Sequence, residues 1–244
     1  KGLAVRRPRV LVTRPEPGAR RTAERLSLAG LEPVILPLTR IAPISFSLPG
    51  GGFDAALVTS AQALNASLPE TIRRLPLYAV GGVTAESAGT AGFADIRMAD
   101  GSAGSLAALV QKSAKRRARL IYFCGKVRRP ELEASLAEAG FDVTAVETYD
   151  AVPILYAQSA IANHIGQEPL DAVILMSAQS AGLFSAIAAA PEFAPRLSNA
   201  SLVCFSGRIS DALPENLRAN LFVIGKATEE ALMECLAQRF RGEA

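Results

Sequence analysis

The sequence predicts an α/β protein of two domains, their parallel sheets covered by helices, joined by a two-stranded β connector. Three observations lead there. Short runs rich in Val, Ile and Leu alternate with helical patterns along the chain, the signature of parallel strands buried on both faces. The first half of the chain returns in the second: RVLVTRPEPGARRTAERLSLAGLEPV (Arg9–Val34) resembles RLIYFCGKVRRPELEASLAEAGFDV (Arg119–Val143), and FDAALVTSAQALNAS from Phe53 resembles LDAVILMSAQSAGLF from Leu170. Two extended segments, LPLTRIAPI (Leu36–Ile44) and VETYDAVPI (Val146–Ile154), both end in Pro-Ile and read as strands that cross between two bodies.

Taken in order, Arg9–Val12 is a buried strand, closed by a turn through Thr13, Arg14, Pro15, Pro17 and Gly18. A helix over about Ala19–Ala29 follows, with Ala23 and Leu26 inward, and stops at Gly30. Leu31–Pro37 is a second strand leading into the first crossing. After the loop Gly50–Gly52, Ala55–Val58 is a buried strand with Thr59 and Ser60 at its carboxyl end and a helix beyond. Leu77–Val80 is a strand, Gly81-Gly82 a turn, and a helix runs from about Thr84 to Gly92. Ala103–Ser113 is a helix carrying Leu106, Leu109 and Val110, and Leu120–Cys124 a strand. The later half repeats the pattern, with Ser206-Gly207 in the place of Gly81-Gly82, and ends in strand Leu221–Ile224 and helix Thr228–Phe240. The simplest body plan joins Lys1–Leu36 with Tyr156–Ala244 in one discontinuous domain. It inserts about Ser45–Val146 as the second and leaves 37–44 and 147–155 as connector strands.

Composition narrows the function. The 244 residues are 50% hydrophobic and 20% charged, with a net charge of only +3, which suits a small-molecule enzyme better than a nucleic-acid binder. No apolar run approaches the roughly 20 residues that span a bilayer, and the basic opening KGLAVRRPRV lacks the apolar stretch of a secretory signal. A cytoplasmic monomer without membrane or nucleic-acid partners is expected. Cys124, Cys204 and Cys235 are too widely spaced for a metal motif and read as reduced thiols. GGVTAESAGTAG from Gly81 does not follow the dinucleotide spacing, and no phosphate loop, nucleophile elbow or zinc motif occurs. His164, the single histidine, reads as a surface residue.

In an open parallel sheet, ligands bind beyond the carboxyl ends of the strands. Ser60 and Ser177 are equivalent there in the repeat, and Thr84 and Ser210 form a second pair, each two or three residues past a Gly turn. Each could be a helix N-cap; their recurrence in both halves favours a shared anionic ligand. Arg14, Lys126, Arg128 and Arg129 follow strands on the same edge and read as anion contacts or as ordinary loop charge. Lys112, Lys115, Arg116, Arg117 and Arg119 read as a solvated surface. Tyr149 is the one strongly functional-looking hydroxyl.

The ordered set VLVTRP (Val10–Pro15), FDAALVTSAQAL (Phe53–Leu64), AVGGVTAESAGTAGF (Ala79–Phe93), VETY (Val146–Tyr149) and LDAVILMSAQSAGLF resembles the uroporphyrinogen-III synthases from about Arg9 to Phe240. The resemblance implies two α/β domains with a β connector. It implies an enzyme of heme biosynthesis that needs no cofactor and no metal. Such an enzyme closes hydroxymethylbilane, a linear tetrapyrrole with eight carboxylates, to uroporphyrinogen III with loss of water and inversion of the terminal ring. Tyr149 occupies the place of the family's candidate acid, Thr84 that of its functional threonine, and Ser60 and Ser177 those of its strand-end serines. Arg14, Lys126, Arg128 and Arg129 would help hold carboxylates. Ser210 keeps a hydroxyl, but the neighbouring Asp211 sets an anion beside it. A synthase-like module that binds a small anion or tetrapyrrole without catalysis is the alternative.

Overall fold

The computed structural model describes residues 6–65, 67–226 and 228–240; the start of the basic opening stretch lies outside them. The chain divides into two compact units, one of residues 1–40 and 152–244, the other of residues 41–151.

In the first unit, β1 (Arg9–Val12) leads through α1 (Gly18–Leu28) to β2 (Glu32–Ile35). The strand β3 (Thr39–Pro43) carries the chain into the second unit. There β4 (Ala55–Val58) is followed by a short 3-10 turn over Ala61–Asn65, α2 (Glu70–Arg73), β5 (Leu77–Val80), α3 (Gly81–Thr90), β6 (Ile96–Ala99) and α4 (Ala103–Ser113). β7 (Arg119–Gly125), α5 (Glu131–Glu138) and β8 (Asp142–Pro153) complete it. The chain then returns to the first unit through α6 (Gln158–Ile165), β9 (Ala172–Leu175), α7 (Ala178–Ala188), α8 (Ala194–Leu197), β10 (Ser201–Cys204), α9 (Gly207–Asp211), a 3-10 turn, β11 (Leu221–Val223) and α10 (Glu229–Phe240).

The two sheets have the same plan. One runs β11-β10-β9-β1-β2 and the other β6-β5-β4-β7-β8-β3. All pairs from β11 to β2 and from β6 to β8 are parallel. β3 runs antiparallel to β8: Ile44 N–H donates to Thr148 O, and Ile154 N–H to Leu38 O. In each unit the chain leaves the central pair in opposite directions, β1 toward β2 and β9 toward β10, β7 toward β8 and β4 toward β5. That arrangement puts a topological switch point between β1 and β9 and another between β4 and β7.

Burial explains the strand composition. Val10, Leu11 and Val12 have no exposed surface, and every residue of β4 and β9 is buried. In the second unit the sheet residues alternate between two cores. Leu120, Tyr122 and Cys124 pack with Leu106 and Val110 of α4 and Leu132 and Leu136 of α5. Ile121, Phe123 and Val146 pack with Ala63, Ile72 and Ala88 on the opposite face. Gly30 (φ 81°) and Gly140 (φ 84°) end α1 and α5 in the left-handed conformation, the same stop in both repeats. An acidic residue fastens the start of each central pair: Asp171 Oδ2 accepts the Arg9 N–H at 2.6 Å, and Asp54 Oδ2 accepts the Arg119 N–H at 2.9 Å.

Several expectations are corrected. Ser60 is followed by a 3-10 turn, not an α-helix. Gly81-Gly82 is no turn before a helix: α3 begins at Gly81, whose φ of 73° redirects the chain in a single residue. The strand ending at Val143 and the crossing that begins at Val146 are one twelve-residue strand, β8. His164 is exposed, in keeping with its reading as a surface residue, and its ring meets Tyr156 edge-on at 5.8 Å.

Leu11→Ala should lower unfolding free energy by about 2–5 kcal/mol, because it empties a fully enclosed site between two sheet neighbours. Denaturant unfolding followed by circular dichroism measures this, and a loss under 1 kcal/mol would contradict the packing described.

Candidate functional site

At the switch point of the second unit, Thr59 and Ser60 follow the end of β4, and Lys126 follows Gly125, the last residue of β7. Tyr149 reaches this edge because of an irregularity in β8. Cys124 pairs with Glu147, but the next residue, Gly125, pairs with Tyr149. Thr148 is thus an extra residue, a β-bulge. Glu147 accepts from Arg128, in the loop between β7 and α5, at 2.9 Å. Thr148 points to the opposite face and donates to Ala63 O at 3.2 Å. Strict alternation would return Tyr149 to the Glu147 side; instead it packs with the Phe123 and Val146 core. Its ring lies over Gly125, where an added Cβ would stand 2.8 Å from Tyr149 Cζ.

Burial raises the Tyr149 phenol above the ordinary value of 10, and the Ser60 hydroxyl facing it pulls the other way. Ser60 Oγ also accepts the Gln62 N–H at 3.3 Å. On the opposite face the Tyr122 hydroxyl shares a hydrogen bond of 2.8 Å with Thr59 Oγ1, and burial pushes this phenol up to about 12. Thr84 is buried at the fourth position of α3. Among the described residues, no side-chain hydrogen bond engages its hydroxyl.

The basic loop after β7 divides. Arg128 has two carboxylate partners: it donates to Glu133 at 3.0 and 3.3 Å and to Glu147 at 2.9 Å, and these bonds raise its pKa further. Lys126 is exposed and makes a loose pair with Asp150 at 3.7 Å. Arg129 is exposed.

At the switch point of the first unit, Thr13 Oγ1 donates to Ile174 O at 2.7 Å and ties β1 to β9. Arg14 follows, folded over Gly18 at the start of α1, where a Cβ would stand 2.5 Å from Arg14 Nε. Its guanidinium donates to Glu229 of α10 at 2.7 Å and to Thr22 at 3.2 Å. Arg14 is not the counterpart of Lys126. Val12 pairs with Ile174 and Tyr122 with the equivalent Leu57, so Arg14 corresponds to Cys124 and Lys126 lies two residues farther along. Ser177 is the N-cap of α7, accepting the Ser180 N–H at 3.0 Å. Ser210 is at the fourth position of α9, as Thr84 is in α3, and its hydroxyl donates to Gly207 O at 2.6 Å.

Three contributors escaped the sequence: Gly125, Thr148 and Glu229. A glycine closing an otherwise bulky strand was the one available signal for the first; the other two act through partners remote in sequence. Among the described residues, no group of three or more His, Cys, Asp or Glu side chains could hold a metal ion. Nor is any helix there long and apolar enough to cross a membrane.

This arrangement has relatives. No curated protein sequence matches the chain. A uroporphyrinogen-III synthetase structure from Helicobacter pylori superposes with a TM-score of 0.64 at 18% identity, over 96% of this chain and all of that one. A mutant uroporphyrinogen III synthase from Thermus thermophilus gives 0.53 at 17% identity, over 97% of this chain and all of that one. These two are similar in fold. The family model named uroporphyrinogen-III synthase HemD matches residues 20–234, and with that span of sequence the chain belongs to the uroporphyrinogen-III synthase family.

Proposed function

We propose that this chain carries out the family reaction with Tyr149 as its proton donor, acting as a cytoplasmic monomer on hydroxymethylbilane without a cofactor. Its place among the lyases of tetrapyrrole and heme biosynthesis comes with family membership. The observation that carries the reading is Tyr149 itself: a phenol held over Gly125, facing Ser60, at a switch-point edge.

The reaction asks for a weak acid. The hydroxymethyl C–O bond breaks as its oxygen takes a proton and leaves as water, and the pyrrole nitrogen supplies the electron pair that forms the azafulvenium cation, which becomes the neutral azafulvene on losing its N–H proton. The ring is already a strong electron donor, so one hydroxyl suffices. A phenol with a raised pKa is fully protonated at neutral pH and loses its proton to an oxygen only as that oxygen departs. Ser60 is the neighbour able to pass or orient that proton. Ring inversion then depends on how the bilane is folded, which is a matter of positioning rather than of further acids and bases.

The substrate's carboxylates require donors. The N–H groups at the start of α3, the Thr84 hydroxyl, and the Lys126 and Arg129 side chains serve in the second unit. The start of α7 with Ser177, and Ser210, serve in the first. Arg14 and Arg128 already have carboxylate partners in Glu229, Glu133 and Glu147. In this reading they shape their loops and meet the substrate only by exchanging those partners.

Freshly prepared hydroxymethylbilane should yield the type III isomer; an isomer ratio equal to spontaneous closure would overturn the assignment. Tyr149→Phe should reduce turnover about 10²-fold or more with its circular dichroism unchanged, whereas full activity would remove Tyr149 as the acid. A general acid works while protonated, so turnover should persist through neutral pH and fall only above pH 10, the ordinary phenol value. Because Ser60 lowers that pKa, Ser60→Ala should move the basic limb to still higher pH, a shift readable in the pH–rate profile.

A further inference from the structure

We propose that Thr148 is a positioning residue: its buried hydroxyl, bonded to the Ala63 carbonyl, holds the β-bulge that turns Tyr149 toward Ser60. The inference rests on the reading of Tyr149 as the acid but concerns a residue that touches neither substrate nor reacting atoms.

The geometry supplies the reasons. Thr148 is only 3% exposed, and a hydroxyl there is costly unless bonded. It is the extra residue of the bulge, so it has no counterpart on β7 to hold it. Bulges are rare in parallel pairs, and β7 and β8 are parallel. The hydroxyl gives this one a fixed point: it donates to Ala63 O at 3.2 Å, with Cys124 O also near at 3.5 Å. Ala63 lies in the 3-10 turn that begins directly after Ser60, and its N–H donates to Ser60 O at 3.1 Å. One side chain therefore fastens the strand carrying the phenol to the turn that directly follows the facing hydroxyl. Gly125 supplies the space, since any Cβ there would collide with the ring.

Thr148→Val keeps the shape and removes the hydroxyl; Thr148→Ser keeps the hydroxyl and removes the methyl. With labelled tyrosine, Tyr149→Phe identifies the Tyr149 ring resonance by its disappearance. The valine variant should move that resonance and lower turnover about tenfold or more, and serine should restore both toward the parent. In the Tyr149→Phe background, valine should cost almost nothing further, because residues acting through one group are not additive. Gly125→Ala, which crowds the ring from the other side, should also shift the resonance. An unmoved Tyr149 resonance in Thr148→Val would overturn the proposal whatever Tyr149 does in catalysis. So would an equal loss of turnover in both backgrounds. Failure of the acid assignment is separately visible, as full turnover in Tyr149→Phe alone.

Discussion

Each unit depends on one parallel strand pair, β1 with β9 and β4 with β7. Beyond the arginine that opens β1 and β7, these strands are almost wholly apolar because helices cover both faces, and the two members of each pair lie far apart in sequence. Pairing them fixes the sheet order, and that order opens a crevice at the carboxyl edge. An aspartate at the other edge sets the register in both units by accepting the backbone N–H of Arg9 or Arg119. Thr59 and Ser60 in the one unit, and Thr13 and Ser177 in the other, are then carried to the carboxyl edge of their own sheet by strand length.

The proposed acid stands where the repeat stops copying itself. β1 and β2 pair in unbroken register from Arg9 to Val12. Their counterparts β7 and β8 run longer, and the register slips by one residue at Gly125. That slip separates a tyrosine from Glu147 and the Arg128 cluster and gives it a face shared with Ser60. An acid beside carboxylates would hold its proton differently from one in an apolar wall, so the change of face has an electrostatic meaning as well as a steric one.

How much the sequence disclosed follows from the range of each interaction. The helix Ala103–Ser113 was legible to the residue, since Ser102 caps it and Leu106 and Val110 face inward. The buried strands and the glycine stops were legible for the same local reason. The start of α3 was not, because a positive φ at Gly81 leaves no pattern in neighbouring letters. The bulge was invisible, as it exists only in the pairing of β8 with β7. Arg14 and Arg128 looked like free cations because their partners could not be known: Glu229 stands 215 residues from Arg14, and Glu147 lies across a strand–helix unit from Arg128. Tyr149 was read as part of a connector strand; that it lies in the second unit's sheet, opposite Gly125, and what aims it there, were not foreseeable.

The discontinuity of the first unit has a temporal side. A ribosome releases β1, with Val10, Leu11 and Val12 wholly apolar, long before residues 172–174 exist to pair with it. By then the whole of residues 41–151 has emerged and can fold as a unit. Arg14 and Arg25 wait longer still, for Glu229 in the last helix. The inserted body can thus be complete while β1 has only β2 beside it, one edge of that apolar strand staying open until β9 is made.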